Sequence, residues 1–136
     1  MKYIKHKNLK QLLKHMLSAP FIYGIVFPIV FLDLCLEIYH RVCFKLYDIQ
    51  YIDRSKHIRI DRHKLKYLNP LQKINCAYCG YANGLFNYAT EIAGETEKYW
   101  CGIQHQKDKD FNSPNHHSDF IEYNNSEEFH KLKNKK

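Results

Sequence analysis

Three cysteines and a histidine fall in two short pairs, Cys76-Ala77-Tyr78-Cys79 and Cys101-Gly102-Ile103-Gln104-His105. Thiolate and imidazole are the ligand types of tetrahedral zinc, and C-x2-C followed by C-x3-H is the donor set of a Cys3His site. In the first pair a loop can curl both sulfurs around one ion, and Gly80 behind it lets backbone amides turn toward the sulfur charge. On a helix, Cys101 and His105 would sit one above the other on one face. The expected metal ligands are therefore Cys76, Cys79, Cys101 and His105. Zn2+ is the default occupant and iron the competitor on similar soft donors. Two other readings use the same residues: reduced core thiols beside a surface histidine, and a C-x2-C redox couple.

A second group of chemistry-bearing residues lies earlier. Asp33, Glu37 and His40 recur at intervals of four and three, which puts them on one stripe of a helix whose other faces are apolar. Glu37 and His40 form an E-x-x-H pair, the helical half-motif of carboxylate-bridged di-iron sites, and Glu127 with His130 repeats it. Such sites need carboxylates from further helices. An enzyme acting on lipid or quinone headgroups would use Asp33, Glu37 and His40, joined by Asp61 and His63 at the interface. The plainer expectation is that the stripe faces protein or interfacial water, because ionisable groups at membrane depth rarely face lipid. There is no phosphate-binding glycine loop and no serine nucleophile motif. The adjacent pair His116-His117 lacks a fixed third ligand and by itself holds nothing specific.

The elements that must position these groups divide the chain into four. Residues 1–15 read as a basic amphipathic helix, and residues 16–47 as a membrane-embedded segment with no charge from Met16 to Leu32. That uncharged run lies too far from the start, and is too poor in small cleavage-site residues, for a cleaved signal peptide. Pro20 and Pro28 interrupt it, so a bend is expected, and basic residues on both flanks favour a re-entrant hairpin with both ends cytoplasmic over a single span. Residues 48–106 read as a small cytoplasmic module. Its Ile49–Ile52 and His57–Ile60 runs suggest a short β-hairpin, Asn83-Gly84 a turn, and Gly94 a break between two helices. Residues 107–136 read as a flexible polar tail.

Composition narrows the partners. The 136 residues carry a formal charge of +7, and the basic surplus lies in residues 1–75, the half that holds the apolar segment. Lys5, Lys7, Lys10, Lys14, Arg54, Lys56, Arg59 and Arg62 are the residues expected to meet an anionic membrane surface, and no nucleic-acid partner is expected. Five cysteines, two of them in the apolar region, argue against a secreted disulfide framework and for a reducing compartment.

From about Pro20 to His105 the chain resembles a family of small, uncharacterised bacterial membrane-associated proteins with a C-x2-C…W-C-x3-H motif. The resemblance is carried by Pro28 to Cys35, Asp61-Arg62-His63 with Tyr67-Leu68-Asn69, Asn75-Cys76, Tyr78-Cys79, Tyr81-Ala82-Asn83-Gly84, Glu91-Ile92-Ala93, Thr96-Glu97 and Tyr99-Trp100-Cys101. Relatives read W-C-P-I-K-H where this chain has Gly102 and Gln104. The ligand types survive that change, and the resemblance implies a membrane-linked Cys/His site without supplying an activity.

The expected fold is mainly α: membrane-associated N-terminal helices, bent or re-entrant, then a small α module with a short β-hairpin and a Cys3His site. The leading functional expectation is a membrane-anchored scaffold or interaction module with structural zinc, at the cytoplasmic face of a bacterial inner membrane. Its partners would be lipid and a membrane protein. A thiol or iron electron-transfer protein and a membrane-bound enzyme are the alternatives.

Overall fold

The computed structural model describes residues 9–134, so Lys5 and Lys7 lie outside the described residues. Among the described residues four α-helices make up the fold: α1 (Leu9–Gly24), α2 (Val26–Leu46), α3 (Pro70–Trp100) and α4 (Ser126–Lys133). Among the described residues there is no strand, only a single parallel bridge between Ile103 and Ile121.

Helices α1 and α2 meet at Ile25, whose backbone angles of φ −65° and ψ −17° keep the chain turning in the same sense. Pro28 explains the position of the break. It has no N–H to give the carbonyl of Gly24, and glycine is a weak helix former. The next bond, from the Ile29 N–H to the Ile25 carbonyl at 3.2 Å, resumes the ladder. The bend expected near Pro28 is therefore an interruption and not a reversal, which corrects the re-entrant hairpin. Leu9–Leu46 forms one helical run of 38 residues, long and apolar enough to cross a membrane.

Helix α3 starts where Asn69 caps it. The Asn69 side chain accepts from the Gln72 N–H at 2.8 Å, the Gln72 side chain accepts from the Asn69 N–H at 3.0 Å, and Pro70 occupies the first turn. Its apolar face then recurs as Leu85, Tyr88 and Ile92, all fully buried, against Ile29 and Phe44 of α2 and Ile52 of the following loop. Helices α2 and α3 run in the same direction. Asp33 meets Tyr81, His40 meets Tyr88, Tyr39 meets Thr96, and Tyr47 stacks on Tyr99 at 4.9 Å. Parallel neighbours need a return crossover, and residues 47–69 supply it.

That crossover is not the expected β-hairpin. Its backbone donors go to α2 and to local turns: the Ile49 N–H bonds the Phe44 carbonyl at 2.9 Å, and the Ile52 N–H bonds the His40 ring at 3.2 Å. Asp53 accepts from the Ser55 N–H at 2.9 Å and opens a 3-10 turn at Arg54–Lys56, so the two Ile-rich runs never pair.

The turn expected at Asn83-Gly84 and the break expected at Gly94 are also absent, because α3 is continuous through both. Gly84 is there for close approach. A Cβ on it would stand 2.7 Å from the carbonyl oxygen of His57 and 2.8 Å from the Cα of Ile58. Gly94 makes the same kind of room for the ring of His116, whose Cγ would lie 2.9 Å from an added Cβ.

The stretch expected to be a flexible tail is corrected over residues 115–121. A 3-10 turn at Asn115–Asp119 folds back on α3, and His117, Phe120 and Ile121 are buried. Gly102, at φ +59°, reverses the chain after α3 in a conformation closed to proline. The Gln104 N–H to Ile121 carbonyl and Ile121 N–H to Gly102 carbonyl bonds, each 2.8 Å, then clamp the returning chain.

Replacing Gly84 by alanine must push the crossover backbone away, and is expected to destabilise the fold by about 1–3 kcal/mol. Gly24→Ala, with nothing within 4 Å of the new methyl, is expected to be neutral or stabilising by up to about 1 kcal/mol. Chemical unfolding of the two variants checks the contrast.

Candidate functional site

Two polar centres stand out, one between α2 and α3 and one at the end of α3. The first is built on the Asp33, Glu37, His40 stripe. Arg54, brought in by the capped turn of the crossover, grips both carboxylate oxygens of Asp33; its Nη2 lies 2.6 Å from Oδ2. The Tyr81 hydroxyl donates to the same Oδ2 at 2.6 Å. Glu37 accepts from Arg41 Nε and from the Tyr51 hydroxyl, each at 3.0 Å. Hydrogen bonding to Asp33, together with its charge, outweighs desolvation and raises the Arg54 pKa, so the guanidinium stays charged. Burial pushes the Tyr81 hydroxyl up to about 12, and its bond to Asp33 adds to this. Burial likewise raises Tyr88. Both phenols therefore stay protonated donors at neutral pH.

His40 is fully buried, and its tautomer follows from its neighbours. Because Nε2 accepts from the Ile52 N–H, the proton sits on Nδ1 and is donated to the Tyr88 oxygen at 2.8 Å. Tyr88 in turn donates toward Glu37 Oε2 at 3.4 Å. Tyr51 stacks on the His40 ring at 4.0 Å and closes it from that side. Every polar atom of His40 is thus engaged within the protein. Asp61 and His63 are exposed, and no side-chain hydrogen bond or ion pair among the described residues ties them to this centre. The same is true of Glu127 and His130, exposed on α4.

The expected Cys3His site is not assembled. Cys76 and Cys79 lie within the first turns of α3, beside the α1–α2 junction, where Tyr78 donates to the Ile22 carbonyl at 3.2 Å. Cys101 caps the opposite end of the same unbroken helix. At about 1.5 Å of rise per residue it is about 33 Å beyond Cys79, far outside a shared coordination sphere. Cys101 and His105 also part company, since the chain leaves the helix at Gly102. Of the surface cations, Lys10, Lys14, Lys56, Arg59 and Arg62 are exposed as expected. Arg54 is half-buried and committed to Asp33, so its charge is not presented to a surface.

The second centre was not legible as a set. Glu97 on the last turns of α3 faces two imidazoles from the folded-back segment. Its Oε2 lies 3.2 Å from His116 Nε2 and 3.3 Å from His117 Nε2. Burial acts to raise the Glu97 carboxyl, but the two histidines outweigh it and hold the group below its usual range. His117 is buried, stacks on Phe120 at 5.0 Å and has the ring of His105 at 5.3 Å. An apolar groove of about 420 Å³ between α2 and α3, floored by Ile92 and Ala93, ends at Glu97, Trp100 and Cys101.

Compared with family models, curated proteins and solved structures, the chain matches none.

Tyr88→Phe keeps the packing but removes the hydroxyl oxygen that accepts the hydrogen bond from His40 Nδ1–H, leaving a buried N–H without an acceptor. The expected loss is about 1–3 kcal/mol of stability, measured by unfolding with helix content unchanged under native conditions.

Proposed function

We propose that this is a monotopic membrane protein, lying in the plane of the bilayer surface and presenting its α3 face as an interaction or scaffold module. The observation that carries the reading is a stripe along the whole Leu9–Leu46 run. Leu13, Met16, Phe27, Phe31, Leu34, Ile38, Val42 and Leu46 recur near a 3.6-residue period, and each is at least half exposed. Only 6 % of the most apolar stretch of this helix is buried in the protein, so it is not a core helix. Transfer of each such side chain out of water is worth about 1.5–3 kcal/mol.

Lying on the surface fits better than crossing it. The run is about 57 Å long at 1.5 Å per residue, against a hydrocarbon core of about 30 Å. Asn69, Gln72, Lys73 and Asn75 sit at the start of α3, where Asn75 hydrogen-bonds Tyr23, so a crossing would drag polar groups to mid-bilayer depth. On the surface, Lys10 and Lys14 can extend their amines to the headgroups while the stripe faces down. The exposed Lys56, Arg59 and Arg62 add to attraction by anionic lipid. A bacterial inner membrane, with the module on its cytoplasmic side, accords with the unpaired cysteines and the basic flanks. The internal satisfaction of Asp33, Glu37 and His40 favours a scaffold over an enzyme that would use them on a substrate.

Full-length protein is expected to float with vesicles containing anionic lipid and to resist salt extraction. The double substitution Phe31→Asp with Leu34→Asp, on the exposed face, is expected to release it with helix content retained. Unchanged flotation of that variant, or a wild-type chain that stays monomeric in solution without lipid, would overturn the reading.

A further inference from the structure

We infer that Glu97, His116 and His117 form a binding site for one divalent transition-metal ion, of the zinc type, where the end of α3 meets the folded-back segment. Three donor atoms, one from each residue, lie within 4.8 Å of one another. The two measured edges, 3.2 and 3.3 Å from Glu97 Oε2 to the imidazole Nε2 atoms, are long for charge-assisted hydrogen bonds, which run about 2.7–2.9 Å. They match the spacing of about 3.3 Å between ligands of a tetrahedral ion with bonds of about 2.0–2.1 Å. Two imidazoles and a carboxylate form a borderline donor set, which selects zinc or its first-row neighbours over calcium and magnesium.

The surroundings hold these donors in place. His117 is 3 % exposed, and its Nδ1 is buried with no hydrogen-bond partner among the described residues, so nothing donates to Nδ1 and the ring proton can sit there, leaving the Nε2 lone pair for an ion. His116 rests on Gly94, where any Cβ would collide with its ring. The backbone clamp between residues 102–104 and 120–121 fixes the segment that carries both histidines. Three protein ligands leave a fourth position open, as in zinc sites that bind water or a substrate. This site shares no ligand with Cys76, Cys79, Cys101 and His105, and it does not depend on the membrane reading.

The test is metal titration of the full-length, detergent-solubilised protein with Co2+, followed by displacement with Zn2+ and elemental analysis. One equivalent is expected, with a visible cobalt spectrum and without the intense near-ultraviolet band of cobalt–thiolate coordination. Glu97→Gln and His116→Ala are each expected to weaken binding by more than about tenfold, the least that even a residue supporting a ligand costs. Neither side chain is in the core, so both variants should keep their helix content by circular dichroism. Cys76→Ser with Cys79→Ser is expected to leave stoichiometry and affinity unchanged. The inference is overturned if wild-type protein takes up no cobalt, if Glu97→Gln and His116→Ala bind as wild type does, or if the cysteine variant abolishes binding instead.

Discussion

A carboxylate on the face of α2 that meets α3 sets the terms for this structure. Asp33 needs a counter-charge and donors, and it takes them from two places distant in sequence: Arg54 of the crossover and Tyr81 of α3. Satisfying that one group fixes where the crossover returns and how α3 lies against α2. The Glu37 and His40 bonds extend the same seam by two further turns, and the apolar cluster of Phe44, Leu85, Tyr88 and Ile92 packs around it. An ion pair removed from water contributes little net stability, but leaving one partner alone is heavily penalised. The seam therefore acts chiefly on specificity, choosing one register of α3 on α2 among several that hydrophobic contact alone would permit.

The same helix has two unlike faces. One carries the buried Ile29, His40 and Phe44 with the polar seam, and the other carries the exposed apolar stripe. The polar face is turned to α3 and the crossover, and the apolar stripe is left uncovered by the described residues. A helix polar and packed on one side and apolar and open on the other is the feature on which the proposed membrane reading rests.

Much of this was legible in the sequence. The Asp33, Glu37, His40 periodicity gave the stripe, expected to face protein or interfacial water, and the structure turns it toward protein. The Leu85, Tyr88, Ile92 spacing is helical and coincides with the buried face of α3. The failures share a cause. Asn83-Gly84 and Gly94 were read as local turn chemistry, whereas both glycines answer to a neighbouring segment that arrives from elsewhere, and tertiary approach overrides local propensity. The Cys3His reading needed a loop at Cys76–Cys79, and a continuous helix removes it. The Glu97 carboxylate that faces His116 and His117 was missed because it is a distant residue in sequence. No spacing rule links a helical carboxylate to a pair beyond a left-handed glycine and a returning turn.

The parallel arrangement of α2 and α3 also bears on how the protein is made. A nascent chain exposes α1 and α2 first, and the groups that complete Asp33 and His40 emerge only with residues 54–88. During that interval the groups of the crossover and α3 that pack on this helix are not yet made. On the membrane reading proposed above, a bilayer could cover the exposed apolar side of this helix before the polar seam closes, and α3 would then settle onto a helix already laid down.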